Sequence, residues 1–276
     1  MNEIAVISMA RNDDFFIPKW VAYYGDQFGK ANLYLILDGL DQIKPEDQEI
    51  NCIRVPHKKL SRAKGDKNRA AIVSNLAKAL FKRYKRVIAC DIDEFLVLDP
   101  KNKNSLYNYL IQSHSGTSIS AQGIDVGQHI NLEKEISVEQ PFLAQRNYGL
   151  VSSRYTKPVV ALKPIQWGSG FHRVKGKNFH IDQNLFLFHF GMVDFERSTG
   201  KTKDQSRIDQ GWTNHLDRRF ELFKIISEGI PTDGDEVFDK YRIIQNWKRP
   251  LYAWNKPGTL SNVSLIKIPQ RFHSIV

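Results

Sequence analysis

The sequence predicts an α/β protein: a mostly parallel sheet covered by helices, forming a single domain with a C-terminal extension. Three observations predict it. Short apolar runs alternate with amphipathic helical periods through the first third of the chain. The 276 residues suit one large α/β domain, for which about 150 residues per domain is only a guide. A composition with 41% hydrophobic and 25% charged residues supplies a sizeable core and excludes disordered, collagen-like and coiled-coil chains.

Ile4 to Met9 reads as a first, buried strand. Asn12 or Asp13 can cap a helix running to Phe28, with Phe15, Phe16, Trp20, Val21 and Tyr24 at near-helical spacing and Gly29 just past its end. Leu33 to Leu37 is a second strand, stopped by Asp38-Gly39, and Ile50 to Val55 a third, stopped by Pro56. Gly65-Asp66 opens a long helix to about Tyr84, with Ile72, Val73, Leu76, Leu80 and Phe81 on one face. Arg86 to Ile92 is a fourth strand. Ser105 to Ser113 reads as a helix and Thr117 to Gln122 as a strand, followed by an irregular stretch to residue 165. The run Leu185-Phe186-Leu187-Phe188 marks a central strand, and a helix follows from about Gln205 to Glu228, closed by Gly229 and Pro231. These elements divide into a main α/β part, 1–200, and a helical extension, 201–276, packed on the same domain.

The net charge of +10 suggests an anionic partner. It is localised: Lys58 to Arg86 holds eleven basic residues and one acid, Asp66, which matches the surplus of the whole chain. Cys52 and Cys90 sit in apolar runs and read as small buried hydrophobes, too few for a disulfide framework. The N-terminus lacks a signal-peptide pattern, and no stretch reaches the roughly 18 apolar residues of a membrane span. The expected location is the cytoplasm, with peripheral contact to an anionic membrane as an option.

The sharpest local feature is Val87-Ile88-Ala89-Cys90-Asp91-Ile92-Asp93-Glu94-Phe95, an apolar strand running into carboxylates. Ligands of parallel sheets bind beyond the carboxyl ends of the strands. Asp91 and Asp93 share a side if the strand runs that far. Adjacent carboxylates repel, so one pKa rises or a cation sits between them. Mg²⁺ or Mn²⁺, held by one or two carboxylates and by ligand phosphates, suits that pair. The bland alternative is a polar strand end with solvated acids. An aspartyl-phosphate phosphatase would need Thr or Val where Phe95 stands. A calcium loop would need Gly and Glu where Leu96 and Asn102 stand.

With these residues in place, the chain resembles glycosyltransferases of the GT-A fold, of the family 2 and family 92 kind. Four segments carry the resemblance: Ala10-Arg11-Asn12 with Phe16 and Trp20; Leu37-Asp38-Gly39; Gly65-Asp66-Lys67-Asn68-Arg69; and Cys90-Asp91-Ile92-Asp93-Glu94-Phe95. It spans residues 4 to about 100. It continues weakly through Lys157-Pro158 and Gly168-Ser169-Gly170-Phe171-His172 to Phe188-His189-Phe190-Gly191. The resemblance implies metal-dependent transfer of a hexose from a nucleotide-diphosphate sugar, a UDP-sugar first, to a glycan, polysaccharide or lipid-linked acceptor. Mn²⁺ or Mg²⁺ would be held by Asp93, by Asp91 and by His189. Arg11, Asp38, Lys67, Arg69 and Asp91 would meet the nucleotide and its diphosphate. His172 would be a rival metal ligand or an acceptor contact, and Trp167 either a sugar-stacking surface or a core tryptophan. Asp182 is a candidate catalytic base, against the reading of a solvated acid, and His180 reads as structural.

Two other classes compete. A nucleotidyltransferase-like metalloenzyme would share the acidic pair and the basic helix. A nucleic-acid-binding protein would explain the charge, but Lys58 to Arg86 offers only Phe81 and Tyr84 for base stacking, so no nucleic acid is expected.

Overall fold

The first strand, β1 (Asn2–Ala10), shows why both faces of the sheet are covered. Ile4 and Val6 join one apolar cluster with helix α1 (Phe16–Phe28), while Ala5, Ile7 and Met9 join another with helix α2 (Arg62–Leu80). The same alternation continues in β2 (Leu33–Asp38), where Leu33, Leu35 and Leu37 face α1 and Tyr34 and Ile36 face the α2 side. The computed structural model describes residues 2–177, 179–202, 213–249, 251, 254–261 and 263–276.

β3 (Asn51–Val55) and β4 (Tyr84–Ala89) complete a parallel half-sheet in the order β3-β2-β1-β4. Beyond β4 the sheet changes character. β8 (Lys157–Ala161) runs antiparallel to both β4 and β6 (Ser118–Gly127), and β7 (Tyr148–Val151) runs antiparallel to β6. β9 (Ile181–Met192) lies parallel to β6 and antiparallel to β5 (Glu94–Leu98). The 11-stranded sheet is therefore mixed, and the mostly parallel expectation holds for the four-strand block β3-β2-β1-β4 but not for the sheet as a whole.

The C-terminal part is more than a helical extension. α6 (Thr213–Glu228) and α7 (Gly234–Trp247) are joined by β10 (Thr232–Asp233), and β11 (Leu265–Lys267) pairs with β7 inside the same sheet. Phe186 and Phe188 of β9 pack on Phe272, and Phe186 also on Phe238 of α7. Of the helix expected over 205–228, residues 205–212 lie outside the described residues. The short helices α3 (Leu106–Ile111), α4 (Phe142–Gln145) and α5 (Phe195–Thr202) fill the connections. No helix among the described residues is long and apolar enough to cross a membrane.

Two local differences reposition the chemistry. The expected fourth strand does not reach Ile92: it ends at Ala89, and the chain turns through Asp91, Ile92 and Asp93 into β5. Glu94 N–H donates to Asp91 O at 3.1 Å and closes that turn, which aspartates favour. α2 begins at Arg62, three residues before the expected start, with Ser61 extended ahead of it.

Candidate active site

The parallel half-sheet reverses its order at β1, with β2 on one side and β4 on the other. Such a switch point opens a crevice at the carboxyl ends of the strands. Here the crevice is a cleft of about 1080 Å³. Arg11, Asp38, Arg69, Asp91, Asp93, His172 and His189 all line it, although they come from distant parts of the chain.

At one end, Asp38 closes β2 and its Oδ2 lies 3.1 Å from His57 Nδ1. Arg11 Nη1 donates to the Asp38 carbonyl, and its guanidinium grips Asp41 through two hydrogen bonds of 3.1 Å. Gly39 lies between them with φ +145°, and a side chain there would strike Arg11 and Asp41. Arg62, Asp66 and Arg69 occupy α2 at helical spacing and so face the cleft as one stripe. Lys67 lies about 100° further round the helix and is exposed outside the cleft. Its expected contact with the diphosphate is not supported.

Asp91 and Asp93 part company in their turn. Asp91 takes a cation on each oxygen, Arg69 Nη1 at 3.0 Å and Lys157 Nζ at 2.9 Å. Burial disfavours the Asp91 charge, but Lys157 and Arg69 outweigh it and hold the carboxyl below its usual range. Lys157 also lies 2.6 Å from Glu94 Oε1. Burial pushes Glu94 up to about 7, against the pull of Lys157. Asp91 is thus held in an ionic cluster with Arg69, Lys157 and Glu94, with both of its oxygens already engaged by cations.

Asp93 instead meets His189. His189 Nε2 is 3.5 Å from Asp93 Oδ2, and its Nδ1 is 2.9 Å from Asp125 Oδ1. The Tyr155 ring stacks on the imidazole at 3.6 Å. Burial works against the His189 charge, but Asp93 and Asp125 overcome it and raise its pKa. Gly191 forms the floor: a Cβ there would lie 2.7 Å from His189 Nε2 and 3.2 Å from Asp93 Oδ2. Among the described residues, no three His, Cys, Asp or Glu side chains converge as a ready metal cage. The Asp93–His189 pair over a bare glycine suits a cation that takes its remaining ligands from phosphate and water.

Two expectations fail on position. Trp167 is 1% exposed; its Nε1 donates to Pro158 O and its ring packs on Phe171 in the α2-side cluster. It is a core residue and offers no stacking face for a sugar. Asp182 lies at the start of β9, seven residues of extended chain, or roughly 23 Å, before His189. It accepts from the Tyr109 hydroxyl and from Asn184 N–H, and it does not line the cleft, so it cannot serve there as base. His172 does line the cleft, and burial with Lys157 nearby lowers its pKa to about 4.

Sequence reasoning gives Lys157 no role beyond the weak match at Lys157-Pro158, and misses Tyr155, Asp125, Arg219 and His57. Lys157 carries the one usable signal, a lysine heading the apolar run Val159-Val160-Ala161. No protein-family model matches the chain, and no curated protein matches it.

Proposed function

We propose that the protein is a metal-dependent glycosyltransferase of GT-A type, moving a sugar from a nucleotide-diphosphate donor to a glycan or lipid-linked acceptor. The observation that carries this reading is the Asp93–His189 pair over Gly191, set at the carboxyl end of the parallel half-sheet.

The chain's own residues divide the work along the cleft. Asp38 and His57 offer a carboxylate and an imidazole to a nucleoside. Arg69, rising from the cleft-facing stripe of α2, brings positive charge toward a diphosphate while Asp91 and Lys157 fix its position. Asp93 and His189 would hold Mn²⁺ or Mg²⁺, which when bound neutralises charge on the leaving diphosphate. Preorganised cations at that point lower the barrier without reorganising during the reaction. Asp182 has no part in this scheme.

The test is thermal stabilisation by UDP-, GDP- and CMP-sugars with and without Mn²⁺. A donor at a hundredfold excess over its Kd should stabilise the fold by about 2.7 kcal/mol. The expected result is stabilisation by one donor class, dependent on metal, with slow donor hydrolysis. Pyrophosphate release from a nucleoside triphosphate would instead assign a nucleotidyltransferase, and no metal-dependent stabilisation would overturn the reading.

A further inference from the structure

We propose that Asp125 and Arg219 are positioning residues that hold His189 in one orientation and aim its Nε2 at the cleft beside Asp93. The inference rests on the glycosyltransferase reading of the Asp93–His189 pair and extends it to residues that contact neither donor nor acceptor.

The geometry is built by three elements. Asp125 of β6 lies in register with His189 of β9, so the two side chains are lateral neighbours on parallel strands. The β6–β9 register shifts between Asp125 and Gly127, a local irregularity of the kind that re-aims side chains beside active sites. From α6, Arg219 places both terminal nitrogens on the Asp125 carboxylate, with Nη2 2.9 Å from Oδ1. Asp125, His189 and Arg219 are each less than a tenth exposed. Tyr155 covers the imidazole face, and the Arg219 guanidinium lies 5.2 Å from the Tyr155 ring centre.

The chemistry follows from what each group can donate. An ionised carboxylate only accepts hydrogen bonds, so Nδ1 of His189 must carry the hydrogen it presents to Asp125. Nε2 is then the nitrogen left to face the cleft, beside Asp93. Without Arg219, the Asp125 carboxylate would be buried with one partner and free to turn. With Arg219, both oxygens are fixed and the imidazole has one orientation. Burying an ion pair is costly in solvation and is weak evidence of a gain in stability. A carboxylate that orients a metal-binding histidine explains that cost, and removing such a partner typically weakens metal binding by about 10–100-fold.

The experiment measures Mn²⁺ affinity in the presence of UDP, from the electron paramagnetic resonance signal of free Mn²⁺, and UDP affinity without metal by calorimetry. Wild type, Asp93→Ala, Asp125→Asn and Arg219→Gln are compared after a thermal melt confirms folding. We expect Asp93→Ala to lose Mn²⁺ binding, Asp125→Asn to weaken it about 10–100-fold, and Arg219→Gln to weaken it several-fold. Metal-free UDP affinity should stay unchanged in Asp125→Asn and Arg219→Gln, because a general loosening of the cleft would weaken both ligands. If Asp93→Ala loses Mn²⁺ while folded Asp125→Asn and Arg219→Gln bind it like wild type, the clamp is refuted and the glycosyltransferase reading stands. Should Asp125→Asn not fold, Arg219→Gln alone decides the same question. Wild type that fails to bind Mn²⁺, or binds it equally well after Asp93→Ala, overturns the reading and the clamp together.

Discussion

Two carboxylates one residue apart have different surroundings at the end of β4. Asp91 is neutralised by Arg69 and Lys157, while Asp93 faces His189 across 3.5 Å. The pair itself is legible in the sequence because an apolar strand ends in acids. Their separation is not, because Lys157 reaches Asp91 from 66 residues away. A second titrating residue in the cleft gives a pH prediction. Burial and Lys157 hold His172 near 4, against about 6.5 in an unfolded chain. The folded state therefore binds fewer protons. His172 leaves stability unaffected above about pH 6.5 and lowers it as pH falls toward 4, by on the order of 3 kcal/mol. Urea unfolding from pH 8 to 4 should show wild type losing stability over that window more steeply than His172→Gln. Parallel curves would contradict a neutral, half-buried His172.

At the scale of elements, local periodicity reports which residues share a face and stops short of saying where a strand ends. α2 illustrates both halves. Its apolar face is readable from Val73 and Leu80, and its cleft-facing stripe follows from the spacing of Arg62, Asp66 and Arg69. The same spacing turns Lys67 away, which a linear motif hides. The turn between β4 and β5 is harder to read, because Ile92 continues the apolar pattern past Cys90 and no glycine or proline marks the stop at Ala89. Trp167 fails for a related reason: its partners Phe171 and Pro158 O lie outside any pattern that the surrounding glycines and prolines reveal. Trp167→Ala should cost about 3–5 kcal/mol in urea unfolding. Nucleotide affinity of the folded fraction should not change. Intact stability with lost binding would restore Trp167 as a ligand contact.

Across the whole molecule, the basic surplus separates into parts with different work. Arg62 and Arg69 line the cleft. Lys85 and Arg86 pair with Glu3, and Arg86 also donates to the carbonyls of Ile111 and Gln112. The charge that first suggested nucleic acid is thus partly a feature of the cleft and partly structural. The C-terminal quarter is equally integral. Arg271 binds both Asp99 and Asp235, β11 extends the sheet, and Phe238 and Phe272 cover Phe186. A fragment ending at residue 200 would expose that aromatic cluster and lose Arg219. It should be aggregated, or at best lack a cooperative melt by circular dichroism. A soluble fragment with a sharp transition would show that the C-terminal part is dispensable to the fold.

In the proposed function, Asp93 and His189 form a cation site that recruits a nucleotide-diphosphate sugar. Calorimetric titration of a UDP-sugar into wild type and Asp93→Ala, each with Mn²⁺, tests it most directly. The expected result is metal-dependent binding by wild type and a loss of at least tenfold in affinity for the variant, about 1.4 kcal/mol. Equal affinity in the two proteins would contradict it.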